Sequence, residues 1–323
     1  MKHHAALVLL SLAILLLPES IRAADEPAFT RAQDVVYGRK FGTALTMDIF
    51  TPRGHANGLG VIWVASHGFV SSHDDIKLVF VERLVARGYT VFAVVHGCQP
   101  KFTVPEFLQD MNRAVRFVRF HAREYKVDPD RLGIYGASGG GYLSLMQAAA
   151  GDRGNPDSTD PVERTSSRVQ AVACFFPLTD FLNYGKPGES WEHYFEEALG
   201  RGVLAQLKAA FDFHERDEKT GTFERITDEA KVRGILKQVS PITHVSGDDP
   251  PTLIIHGDAD DVVPIQQSES FVAKLKGAGV EAKLVVRPGA GHQGWADLPK
   301  DVGLLADWFD DHLKASGNSG VKP

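Results

Sequence analysis

Apolar and polar positions alternate in blocks along this chain. Short runs made almost entirely of apolar residues are typical of strands buried in a parallel sheet, whereas apolar residues at helical spacing indicate helices packed on such a sheet. These two patterns predict strands at residues 35–38, 45–50, 61–64, 90–95, 131–135, 169–175, 252–256 and 282–286. They predict helices at residues 76–87, 105–125, 142–150, 265–276 and 302–313.

The order of these elements indicates the fold class. The first two strands flank a turn at Phe41-Gly42-Thr43 and are expected to form an antiparallel hairpin, after which strands and helices alternate. Such alternation predicts an α/β fold with a mostly parallel eight-stranded sheet and helices on both faces. Right-handed crossovers then bring the strand-to-helix loops to one edge, where the active sites of such sheets lie.

Residues 178–250 form too long a stretch for a plain connection between two strands. Apolar side chains at helical spacing predict helices around residues 191–199 and 204–211 and a third near Ile235-Leu236, and the charged stretch 217–221 is interpreted as a solvated loop. We therefore expect a helical cap, inserted after the sixth strand and folded over the loop edge. An ordinary surface excursion is the alternative.

The N-terminal segment 1–23 has the pattern of a secretory signal peptide. A weakly basic start precedes an apolar run over residues 5–17, Pro18 ends that run, and Ile21-Arg22-Ala23 offers a cleavage site. The run is too short to span a bilayer comfortably, so we expect no stable membrane association, although an uncleaved anchor is the alternative. Cleavage predicts a secreted or periplasmic protein with a single α/β domain over residues 24–323.

Charge and cysteine content narrow the partners and the redox state. A formal net charge of −6 argues against nucleic acid and anionic membranes as partners. Cys98 and Cys174 belong to strands that the predicted sheet separates by three positions, about 14 Å, whereas a disulfide needs Cα atoms within about 7 Å. Free thiols are therefore expected. The sequence does not indicate an oligomeric state.

The motif Gly136-Ala137-Ser138-Gly139-Gly140 carries the first chemical signal. It lies between a predicted buried strand and a predicted helix, which is the context of a nucleophile elbow. Small neighbours allow the chain to reverse sharply, so that Ser138 Oγ is held free at the edge of the sheet. A glycine-rich turn with an incidental serine is the alternative.

An activated serine needs a base, and the base needs an acid to orient it. Three aspartates follow the strand 252–256, of which Asp258 is nearest the turn and better suited to accept hydrogen bonds from backbone N–H groups, which leaves Asp260 and Asp261 as acids. His292 follows the last strand in a glycine-rich loop. The order serine, aspartate, histidine is that of the α/β hydrolases.

The loop after the third strand, Ala65-Ser66-His67-Gly68-Phe69, is expected to complete an oxyanion hole. Acyl transfer needs two N–H donors that point at the developing oxyanion. Gly139 supplies one, and Gly68 or Phe69 supplies the other, or His67 if the register shifts. The His67 side chain is expected to have a structural role. No metal and no cofactor are expected.

Several stretches together resemble the α/β-hydrolase superfamily, and within it the secreted bacterial esterase/lipase group that includes feruloyl- and acetyl-esterase-like proteins. They are residues 127–140, Ser240-Pro241-Ile242, residues 251–260 and Gly291-His292. The resemblance covers about residues 33–313 and implies that Asp260 is the acid and His292 the base. The chain departs from the group at residues 65–69, where the group usually has His-Gly-Gly-Gly-Trp.

The resemblance implies a secreted serine carboxylic-ester hydrolase that acts on short-chain acyl or aryl esters, either small molecules or polysaccharide-linked. Two alternatives remain, namely a serine peptidase of the prolyl-oligopeptidase type and a non-catalytic binding protein on a hydrolase fold. We further expect Trp191, Tyr194 or Phe195 to point from the cap toward the site. Such a cap predicts a preference for acyl groups of about two to six carbons.

Overall fold

The computed structural model describes residues 27–314 apart from residues 293, 294 and 296. The predicted signal peptide, residues 1–23, lies outside the described residues. The strands of the described part are β1 Phe29–Lys40, β2 Thr43–Pro52, β3 Gly60–Val64, β4 Thr90–Val95, β5 Leu132–Ala137, β6 Ala171–Phe175, β7 His214–Arg216, β8 Phe223–Arg225, β9 Thr252–Gly257 and β10 Ala282–Arg287.

Eight of these strands form one sheet in the order β1-β2-β4-β3-β5-β6-β9-β10. Strand β2 runs antiparallel to β1 and β4, and every other neighbouring pair is parallel. Strands β1 and β2 join through Phe41 and Gly42, whose φ angles of 44° and 73° make the tight turn. The predicted hairpin and the predicted mostly parallel eight-stranded sheet are both confirmed.

Helices cover both faces of this sheet. They are α1 Glu82–Ala86, α2 Val104–Phe120, α3 Ala122–Tyr125, α4 Gly139–Ala150, α5 Trp191–Leu199, α6 Arg201–Lys208, α7 Glu229–Gln238, α8 Gln266–Gly277 and α9 Leu298–Leu313. One hydrophobic core lies under α2, α4 and α8, and a second lies under α1 and α9. Burial of each large side chain contributes about 1.5–3 kcal/mol, so the two cores hold the sheet as a rigid support for its loop edge.

The predicted helix at residues 76–87 is wrong for most of its length. This stretch and the residues before it form two 3₁₀ turns, His73–Asp75 and Leu78–Phe80, ahead of the short α1. The residues that precede the two turns make no side-chain cap hydrogen bond, and the β-branched and aromatic residues here are weak helix formers. The irregular backbone places Phe80 against Trp63, with ring centroids 5.2 Å apart.

The predicted helix at residues 105–125 is two helices. A capping box formed by Thr103 and Glu106 starts α2. The backbone turns at His121, with ψ at 13°, and the short α3 follows.

The cap, residues 178–250, lies between β6 and β9 and contains α5, α6 and α7, as expected. It also contains the antiparallel hairpin β7–β8, which was not predicted from the apolar pattern of the sequence. The solvated stretch 217–221 is the turn of this hairpin, where Asp217 Oδ1 accepts from the N–H groups of Lys219 and Thr220.

Cys98 and Cys174 are unpaired, as predicted. Strands β3 and β5 separate β4 from β6, so the two thiols belong to distant parts of the sheet. Within the described residues, every helix is too short or too polar to cross a membrane.

Candidate active site

Ser138 lies at the sharp turn between β5 and α4. Its backbone angles, φ 52° and ψ −120°, are unfavourable for a residue with a β-carbon, so the turn is strained. Two glycines allow the turn to close. A β-carbon on Gly136 would lie 2.4 Å from the Gly140 carbonyl, and one on Gly140 would lie 2.5 Å from the Val64 oxygen. The turn therefore holds the serine at the edge formed by the carboxyl ends of the parallel strands.

His292 reaches Ser138 from the loop after β10. Its Nε2 lies 3.0 Å from Ser138 Oγ, and its Nδ1 lies 2.8 Å from Asp260 Oδ2. In the tautomer that these partners select, Nδ1–H donates to the carboxylate and Nε2 accepts from the serine hydroxyl. Three side chains from three loops thus form one hydrogen-bonded chain, the arrangement that activates a serine for acyl transfer.

Asp260 is buried and accepts hydrogen bonds on both oxygens. Its Oδ1 accepts from the N–H groups of Val262 (3.0 Å) and Val263 (2.8 Å), and its Oδ2 lies 3.3 Å from His256 Nε2 as well as facing His292. Burial by itself raises the pKa of the carboxyl, but the hydrogen bonds from His256 and His292 outweigh burial and hold that pKa well below its usual range. Asp260 is therefore ionised at neutral pH.

The other two aspartates of this loop make different contacts. Asp258 Oδ1 accepts from Gly289 N–H at 2.6 Å, so it is an acceptor for a backbone N–H as expected, but the donor belongs to a different loop and not to its own turn. That bond joins the loop after β9, here called the acid loop, to the loop after β10 that carries His292. The two loops approach closely, since a β-carbon on Gly257 would lie 2.0 Å from the Ala290 oxygen. The side chain of Asp261 is exposed.

Residues 65–70, here called the oxyanion loop, approach the serine turn after β3. The nitrogen atoms of Phe69 and Gly68 lie 3.4 and 3.8 Å from the position that a β-carbon on Gly139 would take. Gly139 begins α4, so its own N–H has no acceptor within the helix. The His67 N–H instead donates to the Val70 carbonyl at 2.9 Å. This geometry favours the register with Gly68 and Phe69 over the register with His67.

Two side chains of the oxyanion loop, His67 and Ser66, and one neighbouring side chain, Gln99, make contacts that bear on its shape. The His67 imidazole pairs with Asp75 at 2.8 Å, in keeping with the structural role expected of it. The buried Ser66 Oγ has no hydrogen-bond partner among the described residues and lies 3.5 Å from the β-carbon position of Gly139. Gln99 Nε2 donates to the Gly68 carbonyl at 2.6 Å. The sequence offers no signal for Gln99, whereas Ser66 lies in the stretch where the resembling group has His-Gly-Gly-Gly-Trp.

A cavity of about 630 Å³ opens in front of Ser138 and His292. Its wall on the side of the sheet is largely aromatic and includes Trp63, Phe69, Phe80 and Phe176. The cap supplies the opposite wall, with Phe195, Leu199, Gln206 and Leu207. A mostly apolar chamber of this size is typical of a site for a small organic ligand.

Of the three aromatic residues expected to face the site, only Phe195 lines the cavity. Trp191 is 1% exposed and packs on Phe211, with ring centroids 4.2 Å apart, so it belongs to the core of the cap. The Tyr194 hydroxyl donates to the Asp261 carbonyl at 3.1 Å and supports the acid loop from outside. Phe195 therefore meets the prediction that one of these three residues faces the site, and Trp191 and Tyr194 have other roles.

Two other features of the described residues lie away from this cavity. Glu189, His193 and Glu197 hold ligand atoms within 4.8 Å of one another, but His193 and Glu197 are exposed and Glu189 already faces Lys186 at 3.4 Å. We assign no metal to them. A further cavity, of about 530 Å³, lies between β1 and α2.

His96 lies just after β4 and is buried beside the oxyanion loop. Its main-chain N–H donates to Ser71 Oγ at 3.1 Å, whose hydroxyl in turn donates to the Ala65 carbonyl at 2.5 Å. Its Nε2 has no partner among the described residues. Burial therefore lowers the pKa of His96 to about 4.

This lowered pKa predicts acid sensitivity. An unfolded histidine takes up a proton near pH 6.5, so the folded state loses stability as the pH falls from about 6.5 to 4, by about 3 kcal/mol in total. Urea unfolding at pH 7 and pH 4.5 measures the effect. The variant His96→Gln is expected to lose less stability over this interval than the wild type, whereas His55→Gln, at an exposed histidine, is expected to match the wild type. Equal losses in all three proteins would contradict the prediction.

The strand order, the strained serine turn and the order of the three loops define an α/β-hydrolase fold. The chain belongs to the BD-FAE family, whose model matches residues 47–275. Among solved structures, the truncated form of a carbohydrate esterase from gut microbiota is 24% identical with a TM-score of 0.66, and the match covers 88% of this chain and 97% of that one. The esterase Est2 of Thermogutta terrifontis is 24% identical with a TM-score of 0.64, covering 90% and 96%.

A curated relative is similar over a shorter stretch. The probable carboxylic ester hydrolase LipM of Mycobacterium tuberculosis is 29% identical over 196 residues, which are 61% of this chain and 39% of LipM. The chain thus spans about two fifths of the length of this relative.

Proposed function

We propose that this protein is a serine carboxylic-ester hydrolase. The observation that carries the proposal is the hydrogen-bonded chain from Ser138 through His292 to Asp260 at the base of an apolar cavity. Membership of the BD-FAE family and the similarity to LipM, which is named a probable carboxylic ester hydrolase, support it.

In the proposed reaction, Ser138 Oγ attacks the ester carbonyl carbon while His292 Nε2 takes the serine proton. The negative charge that develops on the carbonyl oxygen is stabilised by the N–H groups of Gly139 and of Phe69 or Gly68. The C–O bond to the alcohol then breaks, and the alcohol leaves with the proton held by His292. Water repeats the attack on the acyl-enzyme, which releases the carboxylic acid and restores the serine.

The substrate class that we propose is an ester with a short acyl or aryl group, either free or carried by a polysaccharide. The cap residues Phe195, Leu199 and Leu207 close the cavity opposite the serine, which limits the length of acyl chain that can be buried. Each added methylene contributes about 0.8 kcal/mol only while the cavity can accept it.

We expect kcat/KM to be highest for acyl chains of about two to six carbons and to fall for longer ones. Nitrophenyl esters of increasing acyl length, assayed beside acetylated xylan and a peptide amide, measure this. The variant Leu207→Ala should extend the accepted length by opening the cavity wall, whereas Leu204→Ala, on the same helix but outside the cavity lining, should not.

Three outcomes of this assay would oppose the proposal. Rates that keep rising to twelve carbons or more would mean an open groove and contradict the proposed role of the cap. Faster cleavage of the peptide amide than of any ester would favour the peptidase. Failure to cleave any substrate would favour a binding protein.

We also propose that the protein is exported and that cleavage after Ala23 removes the signal peptide. The basic start, apolar run and cleavage site of residues 1–23 support this. Mass spectrometry of the protein from the exported fraction is expected to give an N-terminus at Ala24. An intact N-terminus on cytoplasmic protein would contradict export.

A further inference from the structure

Gln99 is a buried residue, 7% exposed, that lies between the oxyanion loop and the cap. Its side-chain Nε2 donates to the Gly68 carbonyl at 2.6 Å, and its Oε1 accepts from the Ala210 N–H at 3.1 Å. Its main-chain N–H donates to the Phe69 carbonyl at 3.3 Å. The partners fix the orientation of the amide, since a reversed amide would set donor against donor and acceptor against acceptor.

The bond to Gly68 sets the direction of an oxyanion donor. In a trans peptide unit the C=O and the N–H point in opposite directions within one plane. Because Gln99 holds the Gly68 C=O on one side of the oxyanion loop, the Phe69 N–H of the same unit points to the other side. The Phe69 nitrogen lies 3.4 Å from the β-carbon position of Gly139, the residue that follows Ser138, so this other side is the side of the serine.

This peptide unit needs such a restraint. Gly68 and Phe69 both have positive φ angles, 50° and 63°. For Phe69 that conformation is strained and persists only when neighbouring groups hold it. Gln99 binds the carbonyls on both sides of the strained residue, so it is the side chain best placed to maintain this backbone.

The other end of the Gln99 amide is tied to the cap. Ala210 is fully buried in the 3₁₀ turn Ala209–Phe211. The adjacent Phe211 ring packs edge-on against the Phe69 ring, with centroids 5.3 Å apart. If this turn of the cap moves away, Gln99 Oε1 loses its donor and the Phe69 ring loses a packing partner.

We propose that Gln99 is a positioning residue that couples the position of the cap to the direction in which the oxyanion donors point. The unit joining Gly68 and Phe69 presents its N–H to the reacting carbonyl while Gln99 is held by Ala210. Displacement of the cap frees the unit to rotate, so the hole is complete only under a closed cap. This inference rests on the proposed ester-hydrolase function for its catalytic consequence.

The kinetic test uses Gln99→Met, which keeps the length of the side chain and removes both hydrogen bonds. We expect kcat for a nitrophenyl acetate to fall about 10- to 100-fold, below the loss of about 10²- to 10³-fold for a deleted oxyanion donor, because the unit still visits the correct orientation. KM is expected to stay within about threefold, since the Gln99 side chain does not itself line the cavity.

Gln147→Met is the matched control. Gln147 is 3% exposed, and its Nε2 also donates to a main-chain carbonyl at 2.6 Å, that of Ser167, away from the cavity. We expect kcat of this variant to stay within about twofold of the wild type. An equal fall in kcat for both variants would reduce Gln99 to a general structural role. An unchanged kcat, or a rise in KM alone, in Gln99→Met would overturn the proposal.

Hydrogen–deuterium exchange tests the coupling without any substrate. In Gln99→Met, amides in residues 65–71 and 207–213 are expected to exchange faster together, and Gln147→Met is expected to leave both segments unchanged. Gln99→Glu retains an acceptor for Ala210 but sets a carboxylate against the Gly68 carbonyl. Amide exchange in Gln99→Glu should therefore be faster only in residues 65–71. This variant also serves as the second test if Gln99→Met fails to fold.

Exchange that stays at the wild-type rate in residues 207–213 of Gln99→Met would overturn the coupling. The same measurement separates the two proposals. A wild-type protein that cleaves no ester contradicts the proposed function, while the exchange pattern still decides whether Gln99 joins the cap to the oxyanion loop.

Discussion

Replacement of Ser138 by alanine is expected to lower kcat on the order of 10⁴- to 10⁶-fold, with little change in KM. The substitution removes the only atom that forms the covalent bond and leaves the cavity wall intact. Alanine keeps the β-carbon at the strained turn, so the backbone angles should be retained. A small residual rate from the oxyanion donors should remain. Nitrophenyl acetate hydrolysis gives the kinetic constants, and a fluorophosphonate probe followed by peptide mapping should label Ser138 alone.

Ser144→Ala is the control for this experiment. Ser144 lies on the same helix, α4, and its buried Oγ donates to the Gly140 carbonyl at 2.8 Å, so the substitution removes a hydroxyl without touching His292. Its kcat should stay within about twofold of the wild type. Labelling at a different serine, or a Ser138→Ala variant that keeps a tenth of the wild-type rate, would contradict the assignment of Ser138 as the nucleophile.

The serine turn could be predicted because its requirements are local. The close approach of Gly136 to Gly140 occurs within the motif itself, so the glycines are visible in the sequence. The order of buried strands likewise follows from apolar runs, and the sheet order brings the three loops to one edge. The meeting of Ser138, His292 and Asp260 is a consequence of topology, which sequence patterns report well.

Contacts between distant segments could not be predicted in this way. Gln99 bonds Gly68 and Ala210, which are 31 and 111 positions away in the chain, and no periodicity links them. Helical spacing predicts that Trp191 and Phe195 share one face of α5, but it does not predict which residues that face contacts. Trp191 meets the Phe211 ring inside the cap, and only Phe195 reaches the cavity.

The second large effect is expected for Asp260→Asn, which should lower kcat by about 10⁴-fold, by analogy with the serine-protease triad. The N–H groups of Val262 and Val263 bind Oδ1, so they should select the carbonyl oxygen of asparagine at that position. The asparagine NH₂ then faces His292 Nδ1 in place of Oδ2. Because the asparagine NH₂ and the Nδ1–H of His292 are both donors, the imidazole shifts to the tautomer with its proton on Nε2. In that tautomer Nε2 cannot accept the proton of Ser138.

Asp261→Asn and Asp258→Asn are the matched comparisons, because both carry out the same chemical change on the same loop. The Asp261 side chain is exposed, so kcat should stay within about threefold of the wild type. Asp258→Asn keeps a carbonyl oxygen that can accept from Gly289 N–H, so its loss should be similarly small. Steady-state kinetics of the three variants on one nitrophenyl ester show which aspartate orients His292. If Asp261→Asn loses more activity than Asp260→Asn, the orienting acid is Asp261 and the assigned register is wrong by one residue.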